Sequence, residues 1–167
     1  MGLLSKILNY VTKKERNGIY MSEDTLWEIS PTKNFSQLLR GLKYIIPSEA
    51  ILYLEGGTPP VEIKRFLEAK CVPEVSHIEM GTIWPRPKVF HLPATIENLN
   101  NLADLAETRI AFEIAVHIHI YIENKVIFQW YDAFSDDPIY LSKDIQEENV
   151  KNFCNFLSLK YKKIIKK

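Results

Sequence analysis

The sequence predicts an α+β fold in which amphipathic helices pack on a mixed β-sheet of four to six strands. Three observations lead to this class. Apolar residues recur at helical spacing in several segments, short apolar runs typical of strands separate them, and segment 112–122 alternates between apolar and mostly polar residues. With 167 residues, 46% of them hydrophobic and 25% charged, the chain has the composition of a single domain over 1–167.

Residues 1–16 show the periodicity of an amphipathic helix, because their leucine, isoleucine and valine residues fall on one stripe. The apolar stretch is too short and too interrupted for a secretory signal. No apolar run in the chain reaches the roughly 18 residues that a transmembrane helix requires. We expect this helix to pack on its own domain in a soluble, cytoplasmic protein, with weak contact to a membrane surface as the alternative.

The next part of the chain alternates between extended and helical patterns. Short strands are expected at 19–21 and 26–29, and an apolar stripe predicts a helix over 33–46. Pro47 ends that helix, since proline cannot continue it. A continuous apolar run at 50–54 then has the length and composition of a buried strand.

Segment 50–83 predicts a right-handed β-α-β crossover with two parallel strands. Thr58 is a suitable N-cap and Pro59 a suitable first residue for the helix in the middle. A strand at 75–83 would close the unit. After a proline-containing loop, a further strand at 88–92 and a helix up to about residue 108 complete the middle of the chain.

The strongest pattern is the alternation in 112–122, which predicts a long strand with one apolar face. The opposite face carries His117 and His119, and we expect it to be turned toward water or a cleft. The chain would then fold back, so segment 111–132 predicts a long antiparallel hairpin. A three-residue loop keeps one face apolar. The pairs expected with that loop are Ile122 with Val126, Ile120 with Phe128, and Ile118 with Trp130.

The C-terminal region predicts a helix that Ser142 caps, followed by a basic tail at 160–167. The tail contains five lysines and Tyr161 as its one aromatic residue. Because these lysines are not interleaved with aromatic residues across a folded surface, we do not expect a nucleic-acid partner. Keeping the chain in solution is the expected role of the tail, with binding to the acidic body or to anionic lipid as alternatives.

Two histidines on one strand face suggest a metal site. The side chains of His117 and His119 start about 7 Å apart, so their imidazoles could hold one transition metal. His77 and Glu79 repeat this spacing on the predicted strand 75–83, and they complete the site if the two strands are neighbours. A divalent transition metal is the one cofactor that the sequence suggests. Under the competing interpretation these are ordinary polar residues on a solvent face.

Two further groups of residues could carry a function. Asp132, Asp136 and Asp137 could hold Mg²⁺ or act as acid and base, or they could shape the turn that follows the hairpin. Trp84, Arg86 and Lys88 lie in a loop that two prolines stiffen. Such a loop is typical of a site that recognises a protein or an anionic ligand, although Trp84 could instead be buried in the core.

The patterns together favour a small binding domain with another protein as its partner. No nucleophile motif is present, and Cys71 and Cys154 are too far apart for a redox pair or a zinc site, so we expect reduced thiols. One alternative is a metal-dependent enzyme, such as a hydrolase, that uses the strand histidines. The other is a peripheral membrane protein held by its basic, amphipathic ends.

Overall fold

A single antiparallel sheet of seven strands organises the molecule. The computed structural model describes residues 18–82, 85–133 and 135–165. The order across the sheet is β3-β2-β4-β5-β6-β1-β7, so β3 and β7 are the two edge strands. In chain order the strands are β1 (Thr25–Ile29), β2 (Ile51–Glu55), β3 (Val89–Pro93), β4 (His117–Ile122), β5 (Lys125–Trp130), β6 (Ile139–Ser142) and β7 (Tyr161–Ile165).

Helices cover one face of the sheet, which we call the helix face. Asn34 caps the first of them, because its side-chain oxygen accepts a hydrogen bond from the Gln37 amide at 2.9 Å. Thr95 caps the third in the same way, through the Asn98 amide at 3.1 Å. The described helices are α1 (Phe35–Gly41), which continues as a 3₁₀ turn (Leu42–Tyr44), α2 (Val61–Lys70), α3 (Ile96–Leu105), α4 (Ala111–Ile114) and α5 (Glu147–Leu157).

The main core lies between these helices and the helix face. Its centre is built from Ile118, Ile120, Phe128 and Trp130, which are at most 1% exposed. These are the apolar residues of the alternating segment and of its hairpin partner, so the pattern assigns the correct face to the core. Burying large apolar side chains in this way is the main source of stability for such a sheet.

The α+β class is confirmed, but the sheet differs from the prediction in size and direction. In the described ranges it has seven strands rather than four to six, and their pairings are all antiparallel rather than mixed. Two strands, β6 and β7, were not predicted. With four residues, β6 is too short for an alternating pattern to stand out, and the lysines of β7 resemble a solvated tail.

The predicted β-α-β crossover over 50–83 is wrong. After α2 the chain crosses the sheet on the face opposite the helices. It starts at the β4–β5 turn, where the Ser76 hydroxyl donates to the Glu123 carbonyl. It ends at the far end of β2, where the Thr82 amide donates to the Glu55 carboxylate. It therefore enters β3 from the opposite end of the sheet, and β3 pairs antiparallel with β2. Segment 75–82 forms only an isolated bridge, between Ile78 and Ile19, in place of the expected strand.

Two extended segments of the chain cover the face opposite the helices, which we call the second face. These cover segments are 18–21 and 75–82. Met21 and Ile78 are buried there in a smaller cluster that also contains Tyr53 and Tyr121 of the sheet. Both faces of the central strands are therefore dry.

Of the strand predicted at 112–122, only the last six residues, His117–Ile122, form β4. β4 begins only at His117, which pairs with Glu55, the last residue of β2. Beyond that point β2 turns away at Gly56, whose φ is 75°. The Val116 amide still donates to the Glu55 carbonyl at 2.8 Å, but no described strand pairs with residues 111–114. They form α4 instead.

The hairpin of β4 and β5 confirms most of the predicted register. The confirmed pairs are Ile118 with Trp130 and Ile120 with Phe128. The third pair is wrong, because a β-bulge after Ile120 shifts the register and Ile122 faces Lys125. The loop consists of Glu123 and Asn124 only, and Glu123 adopts the left-handed conformation (φ 49°) that such a tight turn requires.

The two ends of the chain complete the comparison with the sequence. The predicted helix at 1–16 lies outside the described residues. Ser142 ends β6 rather than capping a helix, and α5 begins at Glu147. The predicted tail at 160–167 contains β7. No helix in the described ranges has both the length and the apolar character needed to cross a membrane.

Candidate functional site

The second face carries the predicted histidines, and around β4 it is buried. His117 is 6% exposed and His119 is 1% exposed. The expectation that this face turns toward water or a cleft is therefore wrong, because the cover segments pack over it. The histidines belong to an interior polar cluster.

His119 lies between two tyrosine rings in this cluster. The distances from its ring centroid are 5.4 Å to Tyr53 and 4.9 Å to Tyr131. Neither of its ring nitrogens has a hydrogen-bond partner among the described residues. Burial, together with the neighbouring His117, lowers the pKa of His119 to about 3. His119 is therefore a neutral aromatic spacer near pH 7.

His117 is fixed by the turn that follows β5. The main-chain N–H of Asp132 donates to its Nδ1 at 3.1 Å, so the neutral ring carries its proton on Nε2. That Nε2 atom lies against Gly81 of the cover, where an added Cβ would come within 2.6 Å of it. Only glycine allows the cover to approach the ring this closely.

Glu55 anchors the cover to the sheet. Its carboxylate is fully buried and accepts three hydrogen bonds, from the Tyr53 hydroxyl at 2.9 Å and from the main-chain N–H groups of Gly81 at 3.1 Å and Thr82 at 2.7 Å. A buried carboxylate with three donors is well satisfied. Nearby, His91 and the Tyr121 hydroxyl form a second buried pair at 2.8 Å.

Sequence reasoning gave no role to Tyr53, Glu55, His91 or Tyr121. Polar or aromatic residues at alternate positions could be found on β2, β3 and β4 separately. They indicate one cluster only when the three strands are known to be neighbours. The predicted crossover set segment 75–83 beside β2, so the sequence did not predict this cluster.

The structure does not assemble the four predicted metal ligands into one centre. His77 is exposed and pairs with Glu74, with 3.0 Å between Nδ1 and Oε1. Glu79 lies in the cover. Burial of Tyr131 raises the pKa of its hydroxyl to about 12, and the nearby charge of Glu79 is the second cause of this shift. In the part of the chain that the structure describes, no group of three or more His, Cys, Asp or Glu side chains could hold a metal ion. The transition-metal enzyme stays a prediction.

The acidic cluster lies in the turn that leaves the hairpin. Asp132 has a left-handed conformation (φ 47°), and its carbonyl accepts a hydrogen bond from the Ser135 hydroxyl at 2.9 Å. That hydroxyl accepts in turn from the Asp137 amide at 3.1 Å. Asp136 is exposed beside them. These contacts support the turn interpretation, and a Mg²⁺ site here stays a prediction.

The predicted recognition loop precedes β3. Trp84 lies outside the described residues, and Arg86 is exposed. Lys88 contacts its own fold, because its Nζ lies 2.6 Å from Glu68 and 4.8 Å from the ring centroid of Phe90. A partner at this loop would therefore have to compete with existing contacts of Lys88.

The edge strand β7 presents main-chain groups that no described strand pairs with. Ser30 donates to the carbonyl of Lys160 at 2.9 Å, which makes these two residues a hydrogen-bonded pair of the antiparallel ladder. Such pairs alternate along a strand. The next residues therefore point their N–H and C=O groups alternately away from β1 and toward it. Those that point away are Tyr161, Lys163 and Ile165, and we call their outward main-chain groups the open edge.

The side chains of β7 add positive charge on both faces of this edge. Lys162 is 67% exposed and lies 2.8 Å from Glu28 on the second face. Lys163 lies on the helix face, with its Nζ 5.0 Å from the ring centroid of Trp27. The Glu28 carboxylate raises the pKa of Lys162, so that lysine stays charged at any physiological pH.

The opposite edge of the sheet differs, because the chain itself approaches it. The amide of Val72, which follows α2, donates to the carbonyl of His91 at 2.9 Å. Among the residues that the structure describes, the open edge of β7 is therefore the more accessible of the two for an added strand. Comparison with known proteins assigns no family, since no family model, curated protein or solved structure matches this chain.

Proposed function

We propose that this protein is a binding domain that pairs an extended segment of a partner protein with the open edge of β7. The outward N–H and C=O groups of Tyr161, Lys163 and Ile165, which no strand in the described ranges pairs with, carry the proposal. A strand added to an edge satisfies such groups with main-chain hydrogen bonds, and this is a recurring mode of peptide recognition. Affinity in this mode comes from the backbone, and specificity comes from the flanking side chains.

The composition of β7 supports pairing with a different molecule rather than with a second copy. Exposed edge strands are a risk for aggregation, and lysines on the edge are a common protection against it. In an antiparallel pair of two β7 strands, the closely matched registers place Lys163 opposite Lys163, or Lys162 opposite Lys162, of the other copy. Like charges at directly opposed positions oppose such pairing.

A peptide-display selection on the full chain tests the proposal. The matched variants are Lys163→Pro, which removes one outward N–H from the open edge, and Lys163→Ala, which removes the charge but keeps the N–H. Because the outward N–H takes no part in the β1–β7 ladder, proline there should leave the fold intact. We expect peptides enriched on the unmodified protein to bind Lys163→Pro about tenfold more weakly, the effect of losing one hydrogen bond.

Two results would contradict the proposal. One is the absence of enriched peptides. The other is a set of peptides that bind the unmodified protein and Lys163→Pro equally well while circular dichroism shows both to be folded.

A further inference from the structure

Resting on the proposed function, we infer that the partner segment is acidic at its centre and apolar at its ends, and that it runs antiparallel to β7. The charge of β7, the faces on which its side chains lie and the register of the open edge all bear on this assignment. Each constrains a different property of the incoming strand. Their combination predicts a short pattern rather than a general preference for negative charge.

The two lysines define the centre of the pattern. Lys162 and Lys163 are neighbours in the strand, so their side chains lie on opposite faces of the sheet, beside Glu28 and over Trp27 respectively. An added strand places one residue beside each of them on the same face. Two consecutive acidic residues would therefore meet one lysine on each face.

On the second face an acidic residue would extend an existing charge arrangement. Lys162 already pairs with Glu28 of β1 at 2.8 Å between Nζ and Oε1. A carboxylate on the incoming strand would lie on the other side of Lys162, so the lysine would stand between two acidic side chains. An incoming lysine at that position would have the like charge of Lys162 directly opposite it.

The flanking positions of β7 are apolar. Ile164 is partly buried on the second face, and Tyr161 is partly buried on the helix face with its ring 6.0 Å from that of Trp27. Ile165 is 76% exposed at the end of the strand. Apolar residues opposite these positions would cover surface that the edge now leaves in water.

The direction follows from the sheet. Every described pairing in it is antiparallel, and antiparallel pairing is slightly more stable per residue than parallel pairing. From its N-terminus, an antiparallel partner would meet Ile165 first and Tyr161 last. The expected order is apolar, apolar, acidic, acidic, apolar, for which Thr-Val-Val-Glu-Glu-Val-Thr is a simple probe.

Three synthetic peptides test this order on the full-length protein: the probe itself, a neutral peptide with both Glu replaced by Gln, and a basic peptide with both replaced by Lys. Binding is followed through the backbone amide signals of β7 by NMR. We expect the acidic probe to shift the signals of the open edge and to bind about tenfold tighter than the neutral peptide. That preference should shrink in about 1 M salt, where charges are screened.

A charge-reversed protein, Lys162→Glu with Lys163→Glu, provides the matched control. We expect it to prefer the basic peptide, because the same edge then carries the opposite charge. If neutral and acidic peptides bind β7 equally well, the inferred partner chemistry is wrong while strand addition at the open edge stands. If the peptides bind only at places other than β7, or if none of them binds, the inference is wrong. The proposed function is tested separately, by the display selection with Lys163→Pro.

Discussion

The inner strand β4 and the edge strand β7 both carry two basic residues in a short apolar context, yet their environments are opposite. His117 and His119 of β4 are enclosed between the sheet and the cover, and His119 is neutral because burial disfavours its charged form. Lys162 and Lys163 of β7 are exposed and charged. The comparison teaches that position in the sheet, more than residue type, decides which basic side chains are available to a partner.

The largest expected effect comes from placing a permanent charge in the enclosed strand β4. We expect His119→Lys to lower the free energy of unfolding by about 3 to 5 kcal/mol at neutral pH, because a buried ammonium has no partner there. Urea denaturation measures the change. His77→Lys is the control, since His77 is 54% exposed and a change of about 0.5 kcal/mol or less is expected. Equal effects at the two positions would mean that β4 is not enclosed.

Acidification tests the enclosure of His119 without changing the shape of the side chain. The folded-state pKa of His119 is about 3, below the ordinary unfolded value of about 6.5. The unfolded chain therefore binds the proton first, and the stability present above about pH 6.5 is lost as the pH falls toward 3. Between neutral pH and about pH 4.5 this residue should remove about 2 to 3 kcal/mol. The variant His119→Phe should lack that part of the loss, and identical pH profiles for the two proteins would contradict the assignment.

Loosening the cover should have a smaller effect. Glu55→Gln replaces a carboxylate that accepts three hydrogen bonds, so one of the amides of Gly81 and Thr82 loses a good acceptor. We expect a loss of about 1 to 3 kcal/mol and faster hydrogen exchange at those amides. Glu68→Gln is the control, because Glu68 makes an exposed ion pair with Lys88. Unchanged exchange at Gly81 and Thr82 would show that Glu55 does not hold the cover.

The smallest effect on stability is expected at the edge. The double variant Lys162→Ala with Lys163→Ala should change the free energy of unfolding by about 0.5 kcal/mol or less, since exposed ion pairs contribute little. The same variant should bind the acidic probe about tenfold more weakly. A large loss of stability without a change in peptide binding would contradict the assignment of Lys162 and Lys163 to an exposed binding edge.

The sequence predicts the elements with strong local patterns. The helix capped by Thr95, the apolar face of 118–122 and two pairs of the hairpin register follow from periodicity. It does not predict β7. Ser158 ends α5 in the left-handed conformation (φ 56°) where glycine is usual, so the sequence shows no stop between helix and strand.

The polar cluster could not be predicted for a different reason. Alternation identifies the two faces of 117–122 but not whether the second face is covered. The cover comes from residues 18–21 and 75–82, which have little regular structure, and it depends on contacts such as Gly81 with His117 and Thr82 with Glu55. These contacts are distant along the chain, and local patterns carry no information about them.

Residue-resolved amide hydrogen exchange along β7, with the protein free in solution, tests most directly whether that strand offers unpaired main-chain groups. We predict alternating protection: slow exchange at Lys162 and Ile164, whose amides face β1, and fast exchange at Tyr161, Lys163 and Ile165. Adding the acidic probe should slow the fast amides. Uniform slow exchange along β7 in the free protein would show that the edge is already covered and would contradict the account.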